Sequence, residues 1–72
     1  KLYFSKIETS IQDAAAKSIG STHYNEVGYI SHYAQQDRAE TIPEAIADYM
    51  ANGKKANKYS IAIVKELKKR LK

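Results

Sequence analysis

The 72-residue chain contains no cysteine and no tryptophan, and only one proline and three glycines. Without cysteine it can form neither disulfide bonds nor thiolate metal ligands. Its longest apolar run, Ile61 to Val64, is far shorter than the ~20 residues that cross a membrane. These absences exclude a disulfide-stabilised scaffold and a membrane-spanning segment within the 72 residues, and they leave the cellular compartment undetermined.

A chain of this length forms one small domain, which buries about 60% of the surface that its unfolded chain exposes. Each buried apolar residue therefore matters to stability. The sequence begins at Lys1 and not at methionine. We therefore expect residues 1–72 to be a single helical domain that is either excised from a longer chain or a processed product.

Positive charge is concentrated at the carboxyl end of the sequence. Residues 54–72 hold eight of the twelve Lys and Arg residues and one acid, Glu66, so their net charge is +7. The first 53 residues hold the other four bases and seven acids, for −3, and the two parts sum to the overall +4. Like charges in such a cluster repel one another unless solvent or a partner offsets them. The split therefore indicates an anionic partner.

Helix signals occur four times, and no stretch shows sustained strand alternation. Start signals are a capping box at 5–8, Thr22, the Thr41-Ile42-Pro43-Glu44 sequence and Asn57. Gly20 and Gly53 suit helix ends. We therefore predict an all-α fold, a compact bundle of four short helices at about residues 6–19, 23–36, 42–52 and 58–71.

Each predicted helix has an apolar face that we expect in the core. In chain order these faces are Phe4, Ile7, Ile11, Ala14, Ala15 and Ser18; Val27, Ile30 and Ala34; Ile42, Ala45, Ile46, Tyr49 and Met50; and Tyr59, Ile63, Val64, Leu67 and Leu71. Tyr24, Tyr49 and Tyr59 lie on or beside these faces and are expected in the core with hydroxyls that reach solvent. Tyr3, Tyr29 and Tyr33 are expected to be exposed.

Gln12, Ala16 and Gly20 stand four apart in the sequence and are followed by Val27 and Ile30. Through these residues the stretch 11–33 resembles the helix-turn-helix of DNA-binding regulators. In that family a small residue lets two helices approach, a glycine makes the turn, and the second helix enters the major groove. The chain departs from the pattern because Val27 lies seven residues after the glycine, one more than usual, and because Ser21 replaces an apolar residue.

The resemblance implies that the helix over 23–36 is the recognition helix. Its outward face would carry four candidates for base contact, Asn25, Tyr29, His32 and Gln36. Amide side chains can bond adenine edges, and aromatic side chains can contact thymine methyls or sugars. This helix contains no Lys or Arg, so the phosphate contacts would come from Lys54, Lys55, Lys58, Lys65, Lys68, Lys69 and Lys72. The alternative is that its outward face is a polar surface or a protein interface.

The lysines of the last predicted helix fall within an arc of about 100°, with Ile61 among them. This face has three interpretations: a phosphate-binding strip, a membrane-surface helix, or a solvated face. The helix lacks Trp and Phe anchors, which disfavours the membrane. A purely solvated face leaves Ile61 unexplained, whereas a contact with a partner or with another copy of the chain would explain it.

The sequence offers little for catalysis. His23 and His32 are nine residues apart and would point in different directions, which makes them poor joint metal ligands. No Gly-rich phosphate loop, cysteine nucleophile or apolar carboxylate pair is present. We therefore predict that the protein is not an enzyme and that it uses no metal and no cofactor.

These patterns favour nucleic-acid binding by the basic C-terminal helix, with DNA favoured over RNA and with added base contacts from the second helix. The alternative is a helical protein-interaction or self-assembly module. In that case the acidic residues 1–53 of one copy would meet the basic helix of another copy or of a protein partner. A membrane partner is disfavoured.

Overall fold

The computed structural model describes residues 6–71, apart from the side chains of Lys6, Ile7 and Tyr33. Within this range lie the helices α1 (Lys6–Ser18), α2 (His23–Glu26), α3 (His32–Gln36), α4 (Thr41–Asn52) and α5 (Lys58–Arg70). Short 3₁₀ turns at Val27–Tyr29, Arg38–Glu40 and Gly53–Lys55 connect them. No strand occurs in the described range, and the predicted all-α bundle is confirmed.

Two of the four predicted start caps, Thr22 and Asn57, are present in the structure, and the capping box at 5–8 includes Ser5, which lies outside the described residues. The Thr22 hydroxyl accepts the amide of Asn25 at 3.3 Å, and the Asn57 side chain accepts the amide of Tyr59 at 2.8 Å. Gly53 ends α4 with a positive φ of 55° and ψ −126°, a conformation open to glycine because it has no Cβ. Thr41 is an exception: a 3₁₀ turn precedes it, so its backbone is already helical and it is the buried first residue of α4.

The helix predicted over 23–36 is divided in the structure. It tightens into a 3₁₀ turn after Glu26, and a new helix begins at His32. The Ser31 hydroxyl accepts the amide of Ala34 at 2.9 Å and so starts α3. Gly28 lies in the 3₁₀ turn, where it weakens the helix and leaves room for the Gln35 side chain, which a Cβ would approach to 3.4 Å. The segment predicted as one helix over 23–36 is therefore two short helices joined by a 3₁₀ turn.

The core lies around α5, which packs against α1 on one side and α4 on the other. Tyr59 and Ile63 of α5 are fully buried. Their buried apolar neighbours are Ile11, Ala15, Ala16, Val27, Ala34, Ala45 and Ala62. Because five of these seven are alanines, the helices can approach closely, and little apolar volume suffices to fill the core.

Some side chains predicted for the core are exposed instead. Met50 and Leu71 are each 80% exposed, Tyr24 is 77% exposed and Ile46 is 37% exposed, and Ser18 is exposed as well. Leu71 follows the last turn of α5, and the described part of the chain leaves Met50 of α4 open and covers Ile46 only in part. The predictions for Tyr3 and Phe4, and for the side chains of Ile7 and Tyr33, lie outside the described residues.

Candidate functional site

The predicted phosphate-contacting residues form an exposed surface along α5 and the turn before it. Its described members are Lys54, Lys55, Lys58, Lys65, Lys68 and Lys69, all of them exposed, and we call them the lysine surface. Lys72 lies outside the described residues. Because the opposite side of α5 is held by the buried Tyr59 and Ile63, the helix presents its lysines from a fixed support.

Few carboxylates neutralise this surface. Glu66 pairs with Arg70, with 3.2 Å between Oε2 and Nε, and with Lys69, with 3.7 Å between Oε1 and Nζ. The ammonium group of Lys68 lies 5.6 Å from the centre of the Tyr49 ring. Within residues 6–71, no carboxylate lies within ion-pair distance of the remaining members of the lysine surface, Lys54, Lys55, Lys58, Lys65 and Lys68. Most of the positive charge therefore faces solvent without a partner from the described part of the chain.

A groove of about 380 Å³ opens beside the lysine surface, between the end of α1 and the first half of α5. The two helices are antiparallel, since Arg70 Nη2 contacts the Ser10 hydroxyl at 3.4 Å near the other end of the pair. The groove is lined by Ser18 at the end of α1 and Ile19 just after it, and by Lys58, Ile61, Ala62 and Lys65 from α5. The α5 residues follow the i, i+3, i+4, i+7 spacing of one helix face, with a lysine at each end and apolar side chains between.

Lys58 also lines a second cavity, of about 420 Å³, which therefore adjoins this groove. Its other lining residues are Glu26, Tyr29 and Asn57. The Tyr29 side chain is 72% exposed, as predicted, whereas Glu26 is only 8% exposed. We call the two cavities together the α1/α5 groove. Its apolar and basic lining residues are Ile19, Tyr29, Lys58, Ile61, Ala62 and Lys65.

The four predicted base-contacting residues are exposed but do not share one helix. Asn25 lies in α2, Tyr29 in the following 3₁₀ turn, and His32 and Gln36 in α3. The break after Tyr29 therefore separates the first two from the last two. Of the four, Tyr29 is the one that the structure brings to a lysine of the lysine surface, through the cavity it shares with Lys58.

A buried polar network, which the sequence did not suggest, connects α5 to α2 and α1. The Tyr59 hydroxyl is 2.6 Å from Nδ1 of His23 and donates to the backbone carbonyl of Gln12 at 3.3 Å. In that arrangement the Nδ1 proton of His23 is donated to the hydroxyl oxygen. Burial, and then the charge of Arg38, lower the pKa of His23 to about 4. Burial raises the pKa of Tyr59.

Arg38 extends the network to α1. Its Nε donates to Oε1 of Gln12 at 2.5 Å, and its Nη2 lies 2.6 Å from the Asp13 carboxylate. The Gln12 amide in turn donates to the Arg38 carbonyl at 3.3 Å. The guanidinium also lies 5.7 Å from the centre of the Tyr24 ring. These contacts connect α1, α2 and α5 to the turn before α4, and they explain why a glutamine occupies a buried position.

Within residues 6–71, no group of three His, Asp or Glu side chains is arranged to hold a metal ion. The helices in the same range are all too short and too polar to span a bilayer. Comparisons with protein families, with curated proteins and with solved structures find no match to the chain. The function must therefore be argued from charge and geometry.

Proposed function

We propose that the protein binds nucleic acid, with DNA the first candidate, and that the lysine surface contacts its phosphates. The observation that supports this most directly is the number of uncompensated charges. Five lysines of that surface, Lys54, Lys55, Lys58, Lys65 and Lys68, have no carboxylate within ion-pair distance among residues 6–71. Phosphates that meet these ammonium groups release their counterions, which favours binding without any sequence preference.

The geometry of α5 suits a phosphate backbone. Lys58 and Lys65 are two turns apart, about 10 Å along the helix axis. The helix itself is held by its buried side, while each charge stands on a flexible four-carbon stem. A rigid support with mobile charges can follow an uneven row of phosphates.

Base reading by a recognition helix has less support than phosphate binding. Asn25, His32 and Gln36 are exposed, but they lie on two short helical segments, α2 and α3. A continuous helix is what places several side chains along the floor of the major groove. The proposal therefore assigns affinity to the lysines and no sequence-specific role to these three residues.

An NMR titration tests the proposal. Uniformly ¹⁵N-labelled protein is titrated with a DNA of random sequence at low salt, and the amide shifts are mapped onto the fold. We expect the largest shifts along α5 and the preceding 3₁₀ turn, and we expect them to disappear in about 1 M salt, where charge is screened within ~3 Å. An absence of shifts with DNA and with RNA at low salt would contradict the proposal.

A second candidate is a helical protein-interaction or self-assembly module. Met50 and Ile46 are one turn apart on α4, and both are exposed, as is Leu71. Exposed apolar side chains that cluster on one face are typical of protein interfaces. Light scattering over a range of protein concentrations discriminates the candidates. Assembly that occurs without nucleic acid and that Met50→Ser abolishes would favour this module.

A further inference from the structure

Ile61 occupies an unusual place for an apolar side chain. It is half-buried on the outer side of α5, and it lies between the exposed Lys58 and Lys65 along one helix face. Together with Ile19 and Ala62 it gives the α1/α5 groove an apolar floor. A ligand that fits this groove must therefore combine an apolar surface with negative charges on both sides of it.

The aromatic ring of Tyr29 extends the same combination. Tyr29 is 72% exposed and lines the second cavity together with Lys58. Its ring is therefore a second apolar surface next to Lys58. Glu26 also lines that cavity and is largely buried, which leaves two exposed lysines against one carboxylate in the whole groove. Apolar surface and positive charge thus alternate along the groove in the order Tyr29, Lys58, Ile61, Lys65.

We infer that the α1/α5 groove binds single-stranded nucleic acid. One base would lie on the floor formed by Ile19, Ile61 and Ala62, the phosphates on either side of it would meet Lys58 and Lys65, and a neighbouring base would stack on Tyr29. The volume of about 380 Å³ corresponds to roughly a dozen liquid water molecules, which is room for a nucleobase. This inference rests on the proposed function and names its preferred substrate.

A duplex does not fit the same description. In B-DNA the faces of the bases are covered by their stacked neighbours, and only their edges reach the grooves. Ile61 and Tyr29 would then meet backbone and solvent. In a single strand the faces are free, and every base has one, so stacking on such residues tolerates any sequence. The alternation of apolar side chains with lysines therefore favours the unpaired strand.

Relative affinity for matched oligonucleotides tests the inference. Fluorescence anisotropy compares the binding of the full chain to an oligo-dT of about 20 nucleotides, to a duplex of the same length, and to an abasic strand of the same length that keeps the phosphates but lacks bases. Charge alone favours the duplex, whose phosphate density is higher and whose salt dependence is steeper. We expect oligo-dT to bind at least about fivefold more tightly than the abasic strand, the lower end of the effect of one stacked base, and more tightly than the duplex.

Two substitutions locate the effect. Tyr29→Ala and Ile61→Ser should each weaken oligo-dT binding by about fivefold or more, with no change in the salt slope or in duplex affinity. Tyr24→Ala and Met50→Ser are matched controls, because these exposed side chains do not line the groove and should leave oligo-dT binding unchanged. Because Ile61 is half-buried, its variant is checked by thermal melting, while the exposed Tyr29 gives a test that is independent of folding.

The outcomes separate this inference from the proposed function. Equal affinity for oligo-dT and the abasic strand, or unchanged oligo-dT binding by Tyr29→Ala, would overturn the groove as a base-binding site while salt-dependent DNA binding remained. A polyglutamate peptide that binds the groove as tightly as oligo-dT would also overturn it, because the preferred partner would then be an acidic protein. Binding to no nucleic acid at all would overturn both.

Discussion

The hydroxyl of Tyr59 lies 2.6 Å from Nδ1 of His23, and the two side chains, 36 positions apart in the sequence, are 0% and 4% exposed. This contact connects the start of α5 to α2. Since α5 carries the lysine surface and α2 leads to Tyr29, the same contact fixes the position of Tyr29 relative to Lys58, the two residues that line the second cavity of the α1/α5 groove. The stability of the network is therefore a condition for the geometry of the candidate site.

Tyr59→Phe should destabilise the fold by about 1–3 kcal/mol, because it removes the hydroxyl and leaves a buried ring nitrogen and a carbonyl without that partner. Urea unfolding followed by circular dichroism measures the change. Tyr24→Phe is the matched control. Its ring is exposed, so the same chemical change should alter the free energy of unfolding by no more than about 0.5 kcal/mol.

The stability of the protein should fall with acidification between pH 6.5 and about 4. The folded state holds the pKa of His23 at about 4, against 6.5 in the unfolded chain, so in this window the unfolded chain binds a proton that the folded chain does not. Stability is complete above pH 6.5 and decreases towards pH 4, by on the order of 3 kcal/mol. Arg38 adds to the effect of burial, and Asp13 opposes it.

Unfolding free energies at pH 7 and at pH 4.5 check this dependence. The difference between the two values should shrink in His23→Gln, although that variant is less stable throughout. His32→Gln, the same chemical change at an exposed side chain of α3, is the matched control. A wild-type stability that is flat across this window would show that His23 is not held neutral by its surroundings.

The sequence predicted α1, α4 and α5 to within one or two residues, because their ends carry local signals such as the Asn57 cap and Gly53. It also predicted which side of α5 is exposed, since a helical wheel separates the lysines from the apolar arc. The second predicted helix is divided in the structure because Gly28 favours a 3₁₀ turn and Ser31 caps a new helix. The sequence did not predict this break, because the apolar spacing of Val27, Ile30 and Ala34 continues through it.

The sequence did not predict how the helices pack against one another. Periodicity shows that α4 has an apolar face, but not how much of that face its neighbours cover, so Ile46 and Met50 were wrongly placed in the core. The His23–Tyr59 contact and the α1/α5 groove each join residues that are distant in the chain. The sequence indicated only that Ile61 among the lysines needed an explanation, and the groove supplies a candidate for one.

Asp48→Ala should cost about 1–3 kcal/mol of stability. The Asp48 carboxylate accepts the backbone amide of Asn57 at 2.9 Å and the side-chain amide of Asn52 at 2.7 Å, and so connects the end of α4 to the cap of α5. Asp48→Asn keeps an acceptor oxygen and should lose less. Thermal or urea unfolding of the two variants compares them, and equal losses would mean that these hydrogen bonds are not the source of the stability.

Gly53→Ala should destabilise the fold, because the residue has φ 55° and no neighbouring atom within 4 Å of an added Cβ, so the cost is one of backbone strain and not of crowding. The expected loss is about 1 kcal/mol. Gly28→Ala is the contrasting variant, since Gly28 has no positive φ and its Cβ would meet only the end of the flexible Gln35 side chain. Urea unfolding should rank Gly53→Ala as the less stable of the two.

The dependence of DNA affinity on salt tests the central claim, that the lysine surface binds phosphates, most directly. For the wild type, log K should fall linearly with log salt, and Lys58→Gln/Lys65→Gln should reduce the slope by about 1.4 with a single strand and by about 1.8 with a duplex. Lys58→Arg/Lys65→Arg keeps both charges and should keep the slope, and Lys17→Gln, on exposed α1 surface, should change it little. An affinity that does not vary with salt, or a slope that the double glutamine variant leaves unchanged, would contradict the account.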